Sequence, residues 1–299
     1  MFKTILFIDG SKTSIRLLNE IIKSKKFIIK FLIISRSSNQ KIIDKLKKKY
    51  NEIILISDLK NKRLIKKISS QICDIGFSYY DKKIPIEIID SLKIGGINFH
   101  PSFLPYNKGR HSSFWAINDS TPFGASSHWL DEKFDNGDIF TQKKIKFDNF
   151  ENAKIVYDKQ LKLLDEVIIK TIKYISKKKF LRRKQAKIKN SYHFVWDIKK
   201  LTNIKLNKKI SNISLGNLIR STCYNNYTGL NIINNSKVYF IVSKYKVKKS
   251  KYRKKYTINL KNIFKNLTIR SNFNFKINIK NFEIKVNSKV AKIFNYCER

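Results

Sequence analysis

Acidic residues are scarce in this chain. Only 22 Asp and Glu stand against 64 Lys and Arg, a formal net charge of +42 over 299 residues. The stretch from 198 to 282 contains no acid at all. Taken directly, such a surface points to nucleic acid or an anionic substrate. Lys, Asn, Ile, Phe and Tyr are over-used together, however, and their codons are AT-rich, so genomic drift accounts for most of the charge without a polyanionic partner. Cysteine is limited to Cys73, Cys223 and Cys297. Their odd number and wide spacing exclude a disulfide framework and suggest a reducing, cytoplasmic setting. Glycine is thin as well. Only Asp9-Gly10-Ser11 follows the first apolar run, so the Gly-rich turn of a dinucleotide site is missing. There is no P-loop, no Cys-x-x-Cys and no His-Glu-x-x-His. His100, His111, His128 and Asp138 match no zinc spacing, and no metal is expected. The best apolar run, Phe27 to Ile34, is interrupted by Lys30 and is too short to span a membrane. Met1-Phe2-Lys3-Thr4 leads straight into an apolar strand, without the pattern of a secretory leader.

What is rare elsewhere is concentrated in one segment. All four prolines (Pro85, Pro101, Pro105, Pro122) lie between Gly76 and Asp138, with His100, His111, His128, Trp115 and Trp129. Special backbone geometry and chemistry are expected there.

Ahead of that segment, apolar runs alternate with helical spacing. Strands are expected at Lys3 to Asp9, Phe27 to Ser35, Glu52 to Ser57 and Asp74 to Ser78. Helices are expected at Lys12 to Ser24, Gln40 to Tyr50 and Asn61 to Ser70. This alternation predicts an α/β fold with a doubly wound, mostly parallel sheet. Ile84 to Leu92 reads as a short helix and Gly95 to Phe99 as a fifth strand. Ser112 to Asn118 reads as a helix, and Ala125 to Leu130 and Ile139 to Ile145 as strands. Asn152 to Lys178 follows the helical period and is expected to cover the sheet. Lys177-Lys178-Lys179 and Arg182-Arg183-Lys184 read as a linker. Beyond it, Ser214 to Ser221 reads as a helix. Val238 to Val242, Tyr256 to Leu260, Leu267 to Arg270 and Phe282 to Val286 alternate like short strands. The expected division is a catalytic domain over 1–185 and a smaller, basic, mostly β domain over 186–299.

The chemistry centres on Asn98-Phe99-His100-Pro101. Asn98 and His100 share one face of an extended chain. Pro101 holds His100 out of the α region. Open α/β sheets place ligand sites at the carboxyl ends of their strands. A carboxamide and an imidazole side by side, with Asp138 as the anion that orients the imidazole, supply what acyl transfer to an amine requires. That means a group to polarise the carbonyl, a base for the amine proton and a charge to tune the base.

Asn98-x-His100-Pro101-Ser102-x-Leu104-Pro105, followed by Asp135-x-Gly137-Asp138, resembles the folate-dependent formyltransferase family, best over Phe77 to Ile145. That family includes glycinamide-ribonucleotide, methionyl-tRNA and nucleotide-sugar formyltransferases. The resemblance implies a transferase whose catalytic Asn, His and Asp fall on Asn98, His100 and Asp138. N10-formyltetrahydrofolate would be the donor. Its pteridine would sit between the Phe77 to Pro85 loop, the chain before Asp138, and Leu104, Pro105, Tyr106 and Asn107. His100-Pro101-Ser102 is closer to the glycinamide-ribonucleotide and nucleotide-sugar branches, and the chain length and the Tyr106-Asn107-Lys108-Gly109 run favour the nucleotide-sugar branch. The acceptor would then be the amine of an amino-sugar nucleotide, with Lys108 and Arg110 near its diphosphate. The alternatives are methionyl-tRNA formylation, with the basic C-terminal part binding tRNA, and a non-catalytic polyanion binder on the same fold. A second copy of the chain, as a homodimer, is a further partner to consider. No membrane partner is implied.

Overall fold

The computed structural model describes residues 1–146, 151–188, 192–205, 209–222, 230–234, 237–247, 257–259, 273–279 and 282–288. The chain forms two compact units that interleave along the sequence. One takes 1–108, 124–145 and 159–191, and the other takes 109–123, 146–158 and 192–299.

The first unit opens with β1 (Phe2–Ile8), α1 (Lys12–Lys23), β2 (Phe27–Ile34), α2 (Gln40–Tyr50) and β3 (Ile54–Ile56). It continues with α3 (Lys62–Ser69), β4 (Cys73–Tyr79), α4 (Ile86–Asp90) and β5 (Leu92–His100). A two-residue strand β6 (Lys108–Gly109) and the helix α5 (Ser112–Asn118) precede β7 (Phe123–Trp129) and β8 (Ile139–Ile145). The long helix α6 (Ala153–Ser176) follows, and its residues from Lys159 onward belong to this unit. The seven-stranded sheet has the order β3-β2-β1-β4-β5-β7-β8. The pairs β1–β2, β2–β3, β1–β4 and β4–β5 are parallel, whereas β5 and β7 run antiparallel. The expected doubly wound, mostly parallel sheet is the observed one.

The continuous apolar run of β1 reflects burial on both faces. Leu6 and Ile8 join a core with Leu17 and Ile21 of α1, Ile43 of α2 and Leu164 and Ile168 of α6. Ile5 and Phe7 join a second core with Ile68 of α3 and Ile88 of α4. Alternate residues thus feed opposite layers. Local signals start the helices. Ser11, Asn39 and Asn61 cap α1, α2 and α3, each accepting a backbone N–H from the first turn. Asp9-Gly10-Ser11 makes the first turn, with Gly10 at φ +75° and the Asp9 carboxylate accepting from Ser11 N–H at 2.9 Å.

Strand β7, Phe-Gly-Ala-Ser-Ser-His-Trp, is buried throughout. Ala125 and Trp129 face the α6 core. Ser127 Oγ lies between them and meets Thr141 Oγ1 at 3.0 Å and Thr171 Oγ1 at 2.8 Å, so three buried hydroxyls satisfy one another. Ser126 and His128 therefore take the opposite face. A Cβ on Gly124 would stand 2.1 Å from the Lys143 carbonyl oxygen, which explains the missing side chain there.

One expectation is corrected. The basic stretch after α6 does not read as a linker in the structure. Trp129 Nε1–H donates to the Leu181 carbonyl at 2.8 Å, and the Arg182 guanidinium lies 3.9 Å above the Trp129 ring. Ile139 and Arg183 exchange two backbone hydrogen bonds, at 2.8 and 3.1 Å. The charged heads mark an outer face, while the backbone and aliphatic stems close one edge of the sheet.

The second unit holds α5, β9 (Tyr192–His193), α7 (Val195–Thr202), β10 (Asn203–Lys205), β11 (Lys209–Ser211) and α8 (Asn212–Thr222). It adds β12 (Leu230–Asn234), β13 (Lys237–Val247), β14 (Thr257–Asn259), β15 (Phe273–Ile279) and β16 (Phe282–Ser288). Five of these strands form a sheet in the order β10-β12-β13-β16-β15. The expected strand at Leu267 to Arg270 lies outside the described residues, as do Tyr256 and Leu260. Within this unit Trp115 stacks on His193 at 3.8 Å, and buried Arg220 donates to the Glu151 carbonyl at 3.0 Å and to Asn217 Oδ1 at 2.7 Å. Among the described residues no helix is long and apolar enough to cross a membrane.

Phe77 is fully buried in β4 and meets Phe27 edge-on at 5.3 Å. Phe77→Ala is expected to cost about 3–5 kcal/mol in urea unfolding, the usual penalty for an aromatic cavity in a packed core. A loss below about 1 kcal/mol would show that this core is not close-packed.

Candidate active site

Strand β5 delivers Asn98 and His100 at its carboxyl end, and its antiparallel register sets Asn98 opposite His128 and His100 opposite Ser126. Directly opposed side chains on one sheet face are in contact range. Asn98 Nδ2 lies 3.1 Å from His128 Nε2. His128 Nδ1 lies 2.8 Å from the Trp129 carbonyl oxygen and must carry a hydrogen. In the neutral ring Nε2 is then the acceptor, so Asn98 turns its amide nitrogen toward His128 and its Oδ1 away. His100 is anchored in the same manner. Its Nε2 lies 3.2 Å from the Asn107 carbonyl oxygen, which makes Nε2 the donor and directs Nδ1 elsewhere.

Nδ1 of His100 faces the carboxylate of Asp135. One oxygen, Asp135 Oδ1, lies 3.7 Å from His100 Nδ1, 3.4 Å from His128 Nε2 and 3.5 Å from Asn98 Nδ2. His100, His128 and Asp135 are buried, at 7%, 1% and 8% exposure. Asp135 adopts φ 50°, a left-handed conformation that Asp tolerates better than most residues. Close behind it, a Cβ on Gly137 would stand 2.0 Å from the Trp129 carbonyl oxygen. The loop can lie this close to β7 only because Gly137 has no side chain.

Asp138, expected to hold His100, is placed otherwise. Its backbone carbonyl accepts from Trp129 N–H at 2.8 Å, and the residue is half-buried just before β8. The carboxylate beside His100 is that of Asp135, three residues earlier, carried there by its left-handed turn.

The other expected site residues divide. Leu104 is buried at 1% exposure, its N–H donating to Ser126 Oγ at 3.1 Å and its carbonyl accepting from Gln142 Nε2 at 2.9 Å. It therefore fixes the loop through its backbone. Pro105 and Tyr106 are half-buried, and Asn107 is buried at φ 57° with its carbonyl on His100. Lys108 is not a surface cation. It is 7% exposed, and its Nζ donates to Asn136 Oδ1 at 2.9 Å. Arg110 is exposed and belongs to the second unit. Among the described residues no group of three or more His, Cys, Asp or Glu could hold a metal ion. Sequence reading missed Asp135 and His128 as members of this cluster. Asp135 shares one motif with Asp138, and no local signal separates the two. His128 becomes Asn98's neighbour only once the β5–β7 register is known.

Burial holds the Lys108 ammonium below its ordinary value of 10.5, with Asp135 and Asp131 pulling the other way. The unfolded chain then binds more protons between the depressed folded value and 10.5, so this group makes stability rise with pH across that window. Urea unfolding from about pH 7 to pH 11 should show the wild type gaining stability relative to Lys108→Met as pH rises. A difference that stays flat or falls with pH would contradict the buried charge.

Residues 34–172 match the formyl transferase domain family. Among curated proteins, the GDP-perosamine N-formyltransferase of Brucella melitensis is 35% identical over 97 residues, 31% of this chain and 38% of that protein. The methionyl-tRNA formyltransferase of Halothermothrix orenii is 30% identical over 121 residues, 40% of this chain and 38% of that protein. These matches thus span little more than a third of the relatives' length. Among solved structures, a 4-N formyltransferase from Francisella tularensis superposes with a TM-score of 0.68 at 28% identity, covering 81% of this chain and 97% of that one. The fold is shared with an N-formyltransferase from Helicobacter canadensis, solved with folinic acid and dTDP-3-aminofucose. That pair has a TM-score of 0.65 at 19% identity, covering 97% of this chain and 100% of that one. The matched segment, the sheet and the cluster at the end of β5 point the same way: residues 34–172 are similar to the formyl transferase domain family, and the chain shares its fold with solved formyltransferases.

Proposed function

We propose that the protein transfers the formyl group of N10-formyltetrahydrofolate to the primary amine of an amino-sugar nucleotide. The observation that carries this reading is the convergence of Asn98, His100 and His128 on the Asp135 carboxylate at the carboxyl end of β5. The nucleotide-sugar acceptor is supported by the similarity to the Brucella GDP-perosamine N-formyltransferase.

In this reading the amine nitrogen attacks the formyl carbon. A carbon–nitrogen bond forms, the carbonyl oxygen becomes an oxyanion, and the bond to N10 of the folate then breaks. The amine loses one proton and N10 gains one. Asn98 Oδ1, turned outward by His128, accepts a hydrogen from the incoming amine and aligns its lone pair. A doubly protonated His100, facing Asp135 across 3.7 Å, would place positive charge next to the oxyanion. Asp135 is the base to which the amine proton passes. The loop of Pro105 and Tyr106 and the chain before Asp138 would hold the flat pteridine, with Leu104 fixing the loop. Lys108 would act from behind, on the loop that carries Asp135, rather than on a diphosphate. Arg110 remains the proposed phosphate contact, since its guanidinium can grip two oxygens at once.

Methionyl-tRNA is the second acceptor considered, because that class of relative matches the same segment. The test is transfer of labelled formyl from N10-formyltetrahydrofolate to GDP- and dTDP-linked amino sugars and, in parallel, to methionyl-tRNA. The expected outcome is formylation of at least one amino-sugar nucleotide and none of the tRNA. His100→Ala and Asn98→Ala should each lower kcat about 100-fold or more while leaving the melting temperature near that of the wild type. Labelled tRNA with unlabelled sugars would move the acceptor to tRNA. Labelling of neither, in a folded protein, would favour a polyanion binder.

A further inference from the structure

The segment after α6 does more than close the sheet. Gln185 is half-buried, and its Nε2 donates to the Asp135 carbonyl at 2.9 Å and to the Gly137 carbonyl at 2.7 Å. Both acceptors are backbone carbonyls, which cannot donate, so the amide orientation is settled by chemistry: nitrogen faces the loop. Gln185 Oε1 is left buried without a hydrogen-bond partner among the described residues. A side chain that only filled space would turn that oxygen to water.

The two hydrogens of one carboxamide thus hold the peptide carbonyls on either side of Asn136. Asn136 is tied from the other direction by Lys108 Nζ at 2.9 Å. Gly137 lies too close to the Trp129 carbonyl to shift inward. Between these restraints the backbone of Asp135 stays left-handed, and its carboxylate stays within 3.4 to 3.7 Å of the two histidines. The segment that supplies Gln185 is itself fixed by Leu181 and Arg182 on Trp129 and by Arg183 on Ile139.

We propose that Gln185 is a positioning residue that aims the Asp135 carboxylate at His100 and His128, and so sets turnover without touching either substrate. This rests on the formyl-transfer reading for its kinetic consequence, and on the loop geometry alone for its structural one. Two consequences separate it from a residue that merely stabilises the fold. The first is that it acts only through Asp135. The second is that its loss is felt at two particular imidazoles.

The test has two arms, run on the full chain. In the kinetic arm, Gln185→Ala should lower kcat about tenfold or more, with KM for folate and for the amino-sugar nucleotide within about threefold of wild type. The double variant with Asp135→Asn should be no slower than Asp135→Asn alone, because one residue acts through the other. In the second arm, imidazole ¹⁵N resonances are compared without substrate. Asp135→Asn should displace the signals of His100 and His128. Gln185→Ala should displace the same two and leave His111 and His193, which belong to the other unit, in place. If Gln185→Ala does not fold, Gln185→Glu keeps the shape, removes both N–H donors, and should behave alike in both arms. Unmoved His100 and His128 signals, wild-type kcat, or losses that multiply in the double variant would each overturn the inference. If the wild type formylates no acceptor, the reaction assignment fails, and the resonance arm still decides the role of Gln185.

Discussion

One carboxylate oxygen organises the site. Asp135 is 8% exposed, and its Oδ1 sits among His100, His128 and Asn98 at 3.4 to 3.7 Å. A buried carboxylate is costly unless donors surround it, and removing a partner from such a charge costs about 3–5 kcal/mol. Each imidazole is in turn held by a backbone carbonyl, His100 by that of Asn107 and His128 by that of Trp129. The tautomers follow from these carbonyls, and the orientation of the Asn98 amide follows from the tautomer of His128. Very little in the cluster is left free to rotate, which is the condition for stabilising charge without reorganisation during reaction.

The scaffold meets that condition through strand pairing. A wholly parallel sheet would end at β5 with Asn98 and His100 at an open edge. The antiparallel β7 instead lays His128 opposite Asn98 and Ser126 opposite His100. The composition of β7 suits this double duty. Its small residues allow close approach to β8 at Gly124, and its alternation sends Ala125, Ser127 and Trp129 to the α6 side. Trp129 links both layers, since its carbonyl anchors His128, its N–H ties Asp138, and its ring and indole N–H seat Arg182 and Leu181.

Much of this was legible in the chain. The alternation of apolar strands with capped helices up to Ser78 announces the doubly wound sheet, because both periodicities are local. Asn98 and His100 are legible for the same reason: two residues apart on a strand, ahead of a proline, they must share a face. What could not be read depends on contacts far apart in sequence. Choosing Asp135 over Asp138 requires the left-handed turn at Asp135 and the approach of Gly137 to Trp129. The place of His128 requires the β5–β7 register. Lys108 reads as a surface cation by type, and only its bond to Asn136 reveals a buried amine. The basic run from Lys177 to Lys184 reads as a linker by charge. Its backbone and Trp129 contacts have no sequence signature, and Gln185 at its end has none either.

The measurement that bears most directly on this account compares Asp135→Asn with Asp138→Asn in one formyl-transfer assay, with folding verified for both. With Asp135 as the buried carboxylate of the cluster, Asp135→Asn should lose about two orders of magnitude in kcat, and Asp138→Asn should stay within about threefold of wild type. The opposite ranking, or equal retention of turnover in both, would contradict it.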